Sequence, residues 1–177
     1  MAATPASIRA ALHWSWLGAA ALLVQIWAVY FAAVEDALGL IRRLVLPLSF
    51  AVLLVFALRN WHLWGIRVMA AGFLLNLLAM CANGGLMPVS PEQVASVNLT
   101  DRIEGVQLGE PVPGSKGVLM APGEARLWFL SDIIVFPPGS PVARVVSVGD
   151  LLVLSGVVMA CGEVLVRNRN WMSARQP

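Results

Sequence analysis

The stretch Trp14–Val34 reads WSWLGAAALLVQIWAVYFAAV and contains no charged residue. A transmembrane helix needs about 20 predominantly apolar residues to cross the hydrocarbon core of a bilayer. Three further apolar stretches come close to this length, at about 40–58, 66–82 and 148–166. They do not alternate polar and apolar residues, as the strands of a membrane barrel do. The sequence therefore predicts an all-α membrane protein with about four transmembrane helices in a single domain, 1–177.

The composition favours the same class. Hydrophobic residues make up 59% and charged residues 12% of the 177 positions, whereas soluble domains carry roughly 25% charged residues. The formal net charge is only +2 and the basic residues form no stripe, so no nucleic-acid partner is predicted. The lipid bilayer is the expected partner. No metal-ligand spacing and no glycine-rich phosphate loop occurs in the sequence, so neither a metal ion nor a cofactor is predicted.

Positive charge near the ends of the spans indicates the orientation. With four spans, both termini share a side with the turn between Arg59 and Arg67, and that side carries most of the arginines that flank the spans. We therefore expect a multi-pass protein of the cytoplasmic (inner) membrane with both termini in the cytoplasm. Arg42 and Arg43, at the opposite end of the second span, argue against this orientation.

The residues between the third and fourth spans, 83–147, form one long loop, which this orientation places outside the cytoplasm. Its part 96–117 is polar and rich in turn residues, which predicts a loose surface loop. The segment Leu127–Phe136, LWFLSDIIVF, is strongly apolar but too short to span, as is typical of interfacial or re-entrant segments. Because prolines follow it, we expect 118–147 to form a half-helix or a hairpin on the membrane surface.

Two uncharged polar residues fall in the middle of predicted spans, Gln25 in the first and Asn76 in the third. Polar groups in hydrocarbon are costly, and hydrogen bonds between helices explain these two most simply. The alternative is a polar path through the bundle, which a small transporter or channel would need.

Asn83 ends the third span and is followed by Gly84 and Gly85. Glycines with positive φ are typical of helix C-termini, so a structural role explains this pattern. In the functional interpretation, the Asn83 amide and the exposed backbone beside it contact a ligand or substrate.

Two aspartates are candidate catalytic residues. Asp132 lies inside the apolar loop segment, and Asp150 lies at the start of the fourth span, shortly after Ser147. Structural roles account for both, namely an ion pair of Asp132 with Arg126 or Arg144 and a helix N-terminus at Asp150 with Ser147 as its cap. If the two carboxylates instead lie close together, they share a proton and can activate water.

Four pieces of sequence carry a resemblance to a known family. They are WSWLGAAALLVQ in the first span, LLNLLAMCANGGLMPVS at the end of the third, LWFLSDIIVFPP in the loop and VVSVGDLLVLSGVV at the start of the fourth. With these pieces the chain resembles, over nearly its whole length, the bacterial membrane family called domain of unknown function 5317. The resemblance implies the membrane class and implies no activity.

A weaker likeness is to the type II signal peptidases, which are four-span aspartic proteases. In that family one catalytic aspartate lies in an apolar segment before the last span and the other near the start of that span, and Asp132 and Asp150 are placed similarly. Asn83 resembles a functional asparagine of the same family. The chain departs from the pattern, because Asn83 follows the third span instead of the first and SVGD stands in place of Asn-x-Ala-Asp.

The favoured hypothesis is a structural, binding or accessory component of the bacterial cell envelope. Its loop packs back onto the bundle and presents a polar cluster of Asn83, Asp132, Arg144 and Asp150. One alternative is an intramembrane aspartic hydrolase that uses the two aspartates. The other is a small transporter or channel lined by Gln25 and Asn76.

Overall fold

The computed structural model of the protein describes residues 12–30, 36–136, 140 and 144–173. Most of these residues belong to helices. Four helices are long and one is short: α1 (Ser15–Tyr30), α2 (Asp36–Arg59), α3 (Trp64–Ala82), the short α4 (Pro91–Ala95) and α5 (Val148–Ser173).

Within the described part of the chain, three segments are long and apolar enough to cross a membrane: Leu40–Arg59 in α2, Trp64–Ala82 in α3 and Val148–Val166 in α5. Helix α1 is apolar but shorter over its described residues. Residues 31–35, which include the end of the first predicted span, lie outside the described part. The predicted helical architecture is therefore confirmed, with three helices long and apolar enough to span a membrane, while the fourth span stays a prediction.

Helices α3 and α5 make the most extensive contact in the bundle. Each helix contributes two glycines to this contact, Gly65 and Gly72 on α3 and Gly149 and Gly156 on α5. A Cβ atom at any of these positions would press into the backbone of the other helix. In lipid, where hydrophobic burial does not drive helices together, such small residues allow the close backbone approach that stabilises a pair. This contact sets the first turn of α5 beside the middle of α3.

Hydrogen bonds from side chains to the backbone hold the opposite end of the bundle. The Glu163 carboxylate on α5 accepts from the N–H groups of Trp64 (3.1 Å) and Gly65 (2.7 Å) at the start of α3. A helix N-terminus leaves such N–H groups without partners and favours negative charge. Just after α2, Asn60 bonds both the N–H and the C=O of His13, at 2.6 and 2.8 Å. These contacts join α5 to the start of α3 and the beginning of α1 to the end of α2.

Helix α2 begins at Asp36, so Pro47 lies in the interior of the helix and not in its first turn. A proline has no N–H to donate to the carbonyl four residues earlier, which belongs to Arg43. Gly85, which has φ of +90°, packs its backbone against this Arg43 carbonyl so closely that a Cβ atom would collide with it. The chain leaving α3 is therefore seated directly on α2.

The long loop is folded and contains two small sheets. Strand β1 (Met87–Val89) is parallel to β2 (Gly117–Leu119), with Pro88 opposite Val118. Strand β3 (Ile134–Phe136) is antiparallel to β4 (Arg144–Val146). The predicted apolar segment 127–136 is thus a 3₁₀ turn at Trp128–Leu130 followed by β3, and no half-helix forms there.

The loop also has an apolar cluster of its own, formed by Val89, Val94, Val112 and Leu119. Val112 is only 4% exposed although it lies in the polar stretch 96–117. Most residues of 96–117 are exposed turns, as expected of a surface loop, but the stretch is not loose at Val112, which packs into this cluster.

Candidate functional site

The two candidate aspartates meet at one ammonium group. Lys116 Nζ lies 2.7 and 2.6 Å from the two carboxylate oxygens of Asp150 and 3.5 Å from Asp132 Oδ1. We call these three residues the lysine clamp. The ion partner of Asp132 is therefore Lys116 in place of the predicted Arg126 or Arg144. Lys116 is the only lysine in the sequence. This was the one feature of the sequence that could have drawn attention to it as a site residue.

Strand β1 positions the two members of the clamp that belong to the loop. The Met87 N–H donates to the Lys116 carbonyl (3.0 Å), and the Asp132 N–H donates to the Pro88 carbonyl (3.2 Å). Both Met87 and Pro88 are fully buried. Because β1 follows the end of α3 after only a few residues, the strand fixes Lys116 and Asp132 at the end of the bundle.

The third member of the clamp, Asp150, lies in the first turn of α5. Ser147 and Asp150 form reciprocal hydrogen bonds: the Ser147 Oγ accepts from the Asp150 N–H (3.0 Å), and the Ser147 N–H donates to Asp150 Oδ2 (3.1 Å). This is the arrangement of a capping box, and it agrees with the predicted N-cap role of Ser147. A carboxylate at this place also interacts favourably with the helix dipole.

Asn76 joins this cap to α3. Its amide nitrogen donates to Asp150 Oδ1 (2.8 Å), and its amide oxygen accepts from the Ser147 hydroxyl (2.7 Å). Asn76 and Ser147 are both fully buried. Asn76, Ser147 and Asp150 therefore form a closed polar ring, which explains an amide in the middle of an apolar helix.

The charges of the clamp are set by burial and by each other. Asp132 is only 5% exposed, and this burial raises its pKa to about 7. The Lys116 ammonium opposes that shift, while the Asp150 carboxylate adds to it. Burial alone would lower the pKa of Lys116, but the two carboxylates outweigh it and raise this pKa. Lys116 is therefore the fixed cation of the site, and Asp132 is the group that titrates near neutral pH.

The other members of the predicted polar cluster lie elsewhere. The Asn83 amide nitrogen donates to the carbonyls of Ala79 (2.7 Å) and Arg126 (2.8 Å), and its oxygen accepts from the Arg126 N–H (2.9 Å). Asn83 thus ties the loop to the end of α3 and contacts neither aspartate in these bonds. Arg144 is exposed on β4, opposite Phe136.

Gln25 also lies apart from the clamp, on α1. Its Nε2 atom is buried and has no hydrogen-bond partner among the described residues. Among those residues, no group of three or more His, Cys, Asp or Glu side chains is placed to hold a metal ion.

The start of α2 supplies two more contacts with the loop that the sequence did not reveal. Arg42, which is 1% exposed, donates to the Val112 carbonyl (3.2 Å). Arg43 donates to the carbonyls of Gly84 (3.3 Å) and Gly109 (2.8 Å). The two arginines that argued against the expected orientation are therefore engaged with the loop backbone.

Fold and site together define a helical protein that has three helices apolar and long enough to span a membrane and a folded loop fastened to these helices by polar contacts. The chain belongs to the family of unknown function DUF5317, whose model matches residues 9–162, and this confirms the resemblance seen in the sequence. A protein of Thermotoga maritima described as an uncharacterized protein is 32% identical over 135 residues, which are 73% of this chain and 70% of that protein. No solved structure matches the chain.

Proposed function

We infer that the protein is a structural or binding component of a bacterial cell envelope, which holds a folded loop at the surface of the cytoplasmic membrane. Its apolar helices anchor it in lipid, and the lysine clamp fastens the loop to α5. The similarity to a Thermotoga maritima protein supports a bacterial setting.

The contact of Lys116 with both aspartates carries this inference. In an aspartic hydrolase, the two carboxylates share one proton and face water and substrate. Here an ammonium group contacts both carboxylates, and Asp150 is already hydrogen-bonded to Asn76 and Ser147. Carboxylates engaged in this way are suited to hold parts of the fold together and poorly suited to activate water.

The same contacts weigh against transport through the bundle. A polar path would need side chains that are free to exchange partners with a passing solute. Both polar groups of the Asn76 amide are instead used in the ring with Ser147 and Asp150. Asn76 therefore serves the junction between α3 and α5.

We place the loop outside the cytoplasm. At the opposite end of the bundle, the Arg59 guanidinium carbon lies 5.1 Å from the Trp14 ring centroid, and that of Arg67 lies 4.2 Å from the Trp64 ring centroid. Arginines stacked on tryptophans at span ends fit a cytoplasmic interface, where positive charge and interfacial aromatic residues concentrate.

The test compares Asp132→Asn with Lys116→Met. Folding is followed by thermal unfolding in detergent and by the amount of protein in membranes, and function by a cellular phenotype of the gene deletion. We expect Lys116→Met to lower stability and protein amount, because it leaves the buried Asp132 and the half-buried Asp150 without their cation. Asp132→Asn should complement the gene deletion as the wild type does, since Asp150 still holds Lys116.

Arg102→Met is the matched control, because it removes an exposed loop cation that donates a long hydrogen bond to the Gly114 carbonyl (3.3 Å). The Arg102→Met protein should be as stable as the wild type and should complement the gene deletion equally well. If Asp132→Asn fails to complement the deletion although its stability and its amount in membranes are unchanged, the proposal is contradicted and the hydrolase is favoured.

A further inference from the structure

A cleft of about 630 Å³ opens in the loop beside β1. Its lining is mainly apolar and includes Pro88, Val89, Met120, Pro122, Trp128 and Ile133. Small-molecule sites have this character, with volumes of roughly 300–1,000 Å³ and a few polar groups among apolar ones. None of the three clamp residues belongs to the lining, so the cleft is a separate feature of the loop.

One residue that lines the cleft has a buried hydroxyl group without a hydrogen-bond partner among the described residues. This residue is Ser131, which is 3% exposed. Buried hydroxyl groups nearly always have a partner. A ligand atom that accepts a hydrogen bond would supply one here.

One side of the cleft lies close to the end of α3, which is also the end of a predicted span. Asn83, at the end of α3, holds the backbone of Arg126, and Trp128 follows two residues later. Trp128 lines the cleft and is 63% exposed, and the neighbouring Phe129 is 50% exposed. Exposed aromatic side chains near the end of a span are typical of the membrane–water interface. Leu127 lies between Arg126 and Trp128 in the sequence and adopts a left-handed φ of +53°. A non-glycine residue keeps this conformation only where its surroundings impose it.

The backbone beside the cleft is poorly suited to a peptide. A peptide that adds to a sheet needs an unpaired strand edge. Strand β1 is paired with β2 on one side, and away from β2 its Pro88 carbonyl already accepts from the Asp132 N–H. An apolar chain that needs few hydrogen bonds fits the cleft better.

We propose that the cleft binds one acyl chain of a phospholipid from the adjoining leaflet, which enters past Trp128 and accepts a hydrogen bond from the Ser131 hydroxyl at its ester carbonyl. The proposal rests on the proposed function, because only a loop fastened to the bundle keeps the cleft beside the end of α3. It adds the chemical class of the ligand that the loop would hold.

The test uses the full chain in phosphatidylglycerol nanodiscs that contain a phosphatidylglycerol with a photoreactive diazirine on one acyl chain. After irradiation, labelled peptides are identified by mass spectrometry. We expect labels in the spans and also in the peptides around 88–93 and 120–133. Labels confined to the spans of the wild-type chain would overturn the proposal.

Two tryptophan substitutions provide a matched pair. Ala121→Trp fills the cleft, because Ala121 belongs to its lining, whereas Glu124→Trp adds the same side chain at an exposed position outside the lining. Loop labelling should fall at least about tenfold in Ala121→Trp while labelling of the spans is unchanged, and Glu124→Trp should label like the wild type. Equal loop labelling in the two variants would overturn the proposal.

Ser131→Ala should reduce loop labelling several-fold without changing thermal stability, because its hydroxyl has no partner in the protein to lose. A second arm uses detergent-solubilised protein and a free photoreactive fatty acid, and labelling by the fatty acid without labelling by the phospholipid would overturn the membrane source. Lys116→Met is measured in the same nanodiscs. If it is destabilised while the wild-type loop stays unlabelled, the lipid inference alone fails.

Discussion

Lys116 donates hydrogen bonds to both carboxylate oxygens of Asp150, at 2.7 and 2.6 Å, although the two residues are 34 positions apart in the sequence. One belongs to the loop and the other to the first turn of α5. The same ammonium lies 3.5 Å from Asp132 Oδ1. This contact makes the loop part of the bundle, and the predictions below test the parts that support it.

The seat of the loop on α2 is tested at Gly85. Gly85→Ala should lower the free energy of unfolding strongly, because a Cβ atom would collide with the Arg43 carbonyl and because φ is +90°. Gly109 has the same φ of +90° but nothing within 4 Å of the Cβ position. Gly109→Ala should therefore cost only the roughly 1–2 kcal/mol of the left-handed conformation. Equal losses in thermal unfolding would contradict the close approach.

The junction of α3 and α5 is tested at Gly72. Gly72→Ala places a Cβ atom against the Gly149 carbonyl and the Val153 side chain, so the helices must move apart and stability should fall by about 1–3 kcal/mol. Gly162→Ala on α5 is the control, because nothing lies within 4 Å of its Cβ position. Unfolding in mixed micelles should leave the control at or above the wild type. A Gly72→Ala chain as stable as the control would count against the junction.

The attachment of the loop to the end of α3 is tested at Asn83. Asn83→Ala removes three hydrogen bonds, two of them to the Arg126 backbone, each worth about 0.5–1.5 kcal/mol. Amide hydrogen exchange in the peptide around 126–131 should become faster, while exchange in the middle of α3 stays slow. Gln107→Ala, at an exposed position, is the control. Unchanged exchange around 126–131 would mean that Asn83 does not hold the loop.

The stability of the protein should depend on pH through Asp132, whose pKa is raised from 3.8 in the unfolded chain to about 7. Between these values the folded state keeps a proton that the unfolded state has released, so the free energy of unfolding falls as the pH rises. The loss is complete above about pH 7 and is at most about 4 kcal/mol. Lys116 stays charged throughout this range, because its pKa is raised from 10.5.

The measurement for Asp132 is thermal unfolding of the wild type and of Asp132→Asn at about pH 5 and about pH 8. The wild type should lose stability relative to the variant at the higher pH. The same pH dependence in both proteins would show that Asp132 is not the titrating group.

The helical architecture could be predicted from the sequence, because long apolar stretches with few charges satisfy their backbone hydrogen bonds best as helices. The caps could be predicted as well, since Ser147 precedes Asp150 by the three residues of a capping box, and glycines follow Asn83. These features depend on neighbours in sequence. They need no knowledge of what lies across the fold.

The clamp could not be predicted, because it depends on β1. That strand has only three residues. It brings Lys116 and Asp132 together because its backbone forms hydrogen bonds with the backbone of both residues. The ion partner of Asp132 was expected among the nearby arginines, and pairing across the loop gave the lysine instead. The roles of Arg42 and Arg43 were hidden for the same reason, since their partners are carbonyls of the distant loop.

The coupling free energy between Lys116 and Asp150 tests the account most directly. It is obtained from thermal unfolding in detergent of the wild type, Lys116→Met, Asp150→Asn and the double variant. Each single variant should be destabilised. The loss of unfolding free energy in the double variant should be smaller than the sum of the two single losses by about 1–3 kcal/mol. Strictly additive losses would mean that the loop is not held to the last helix by this ion pair.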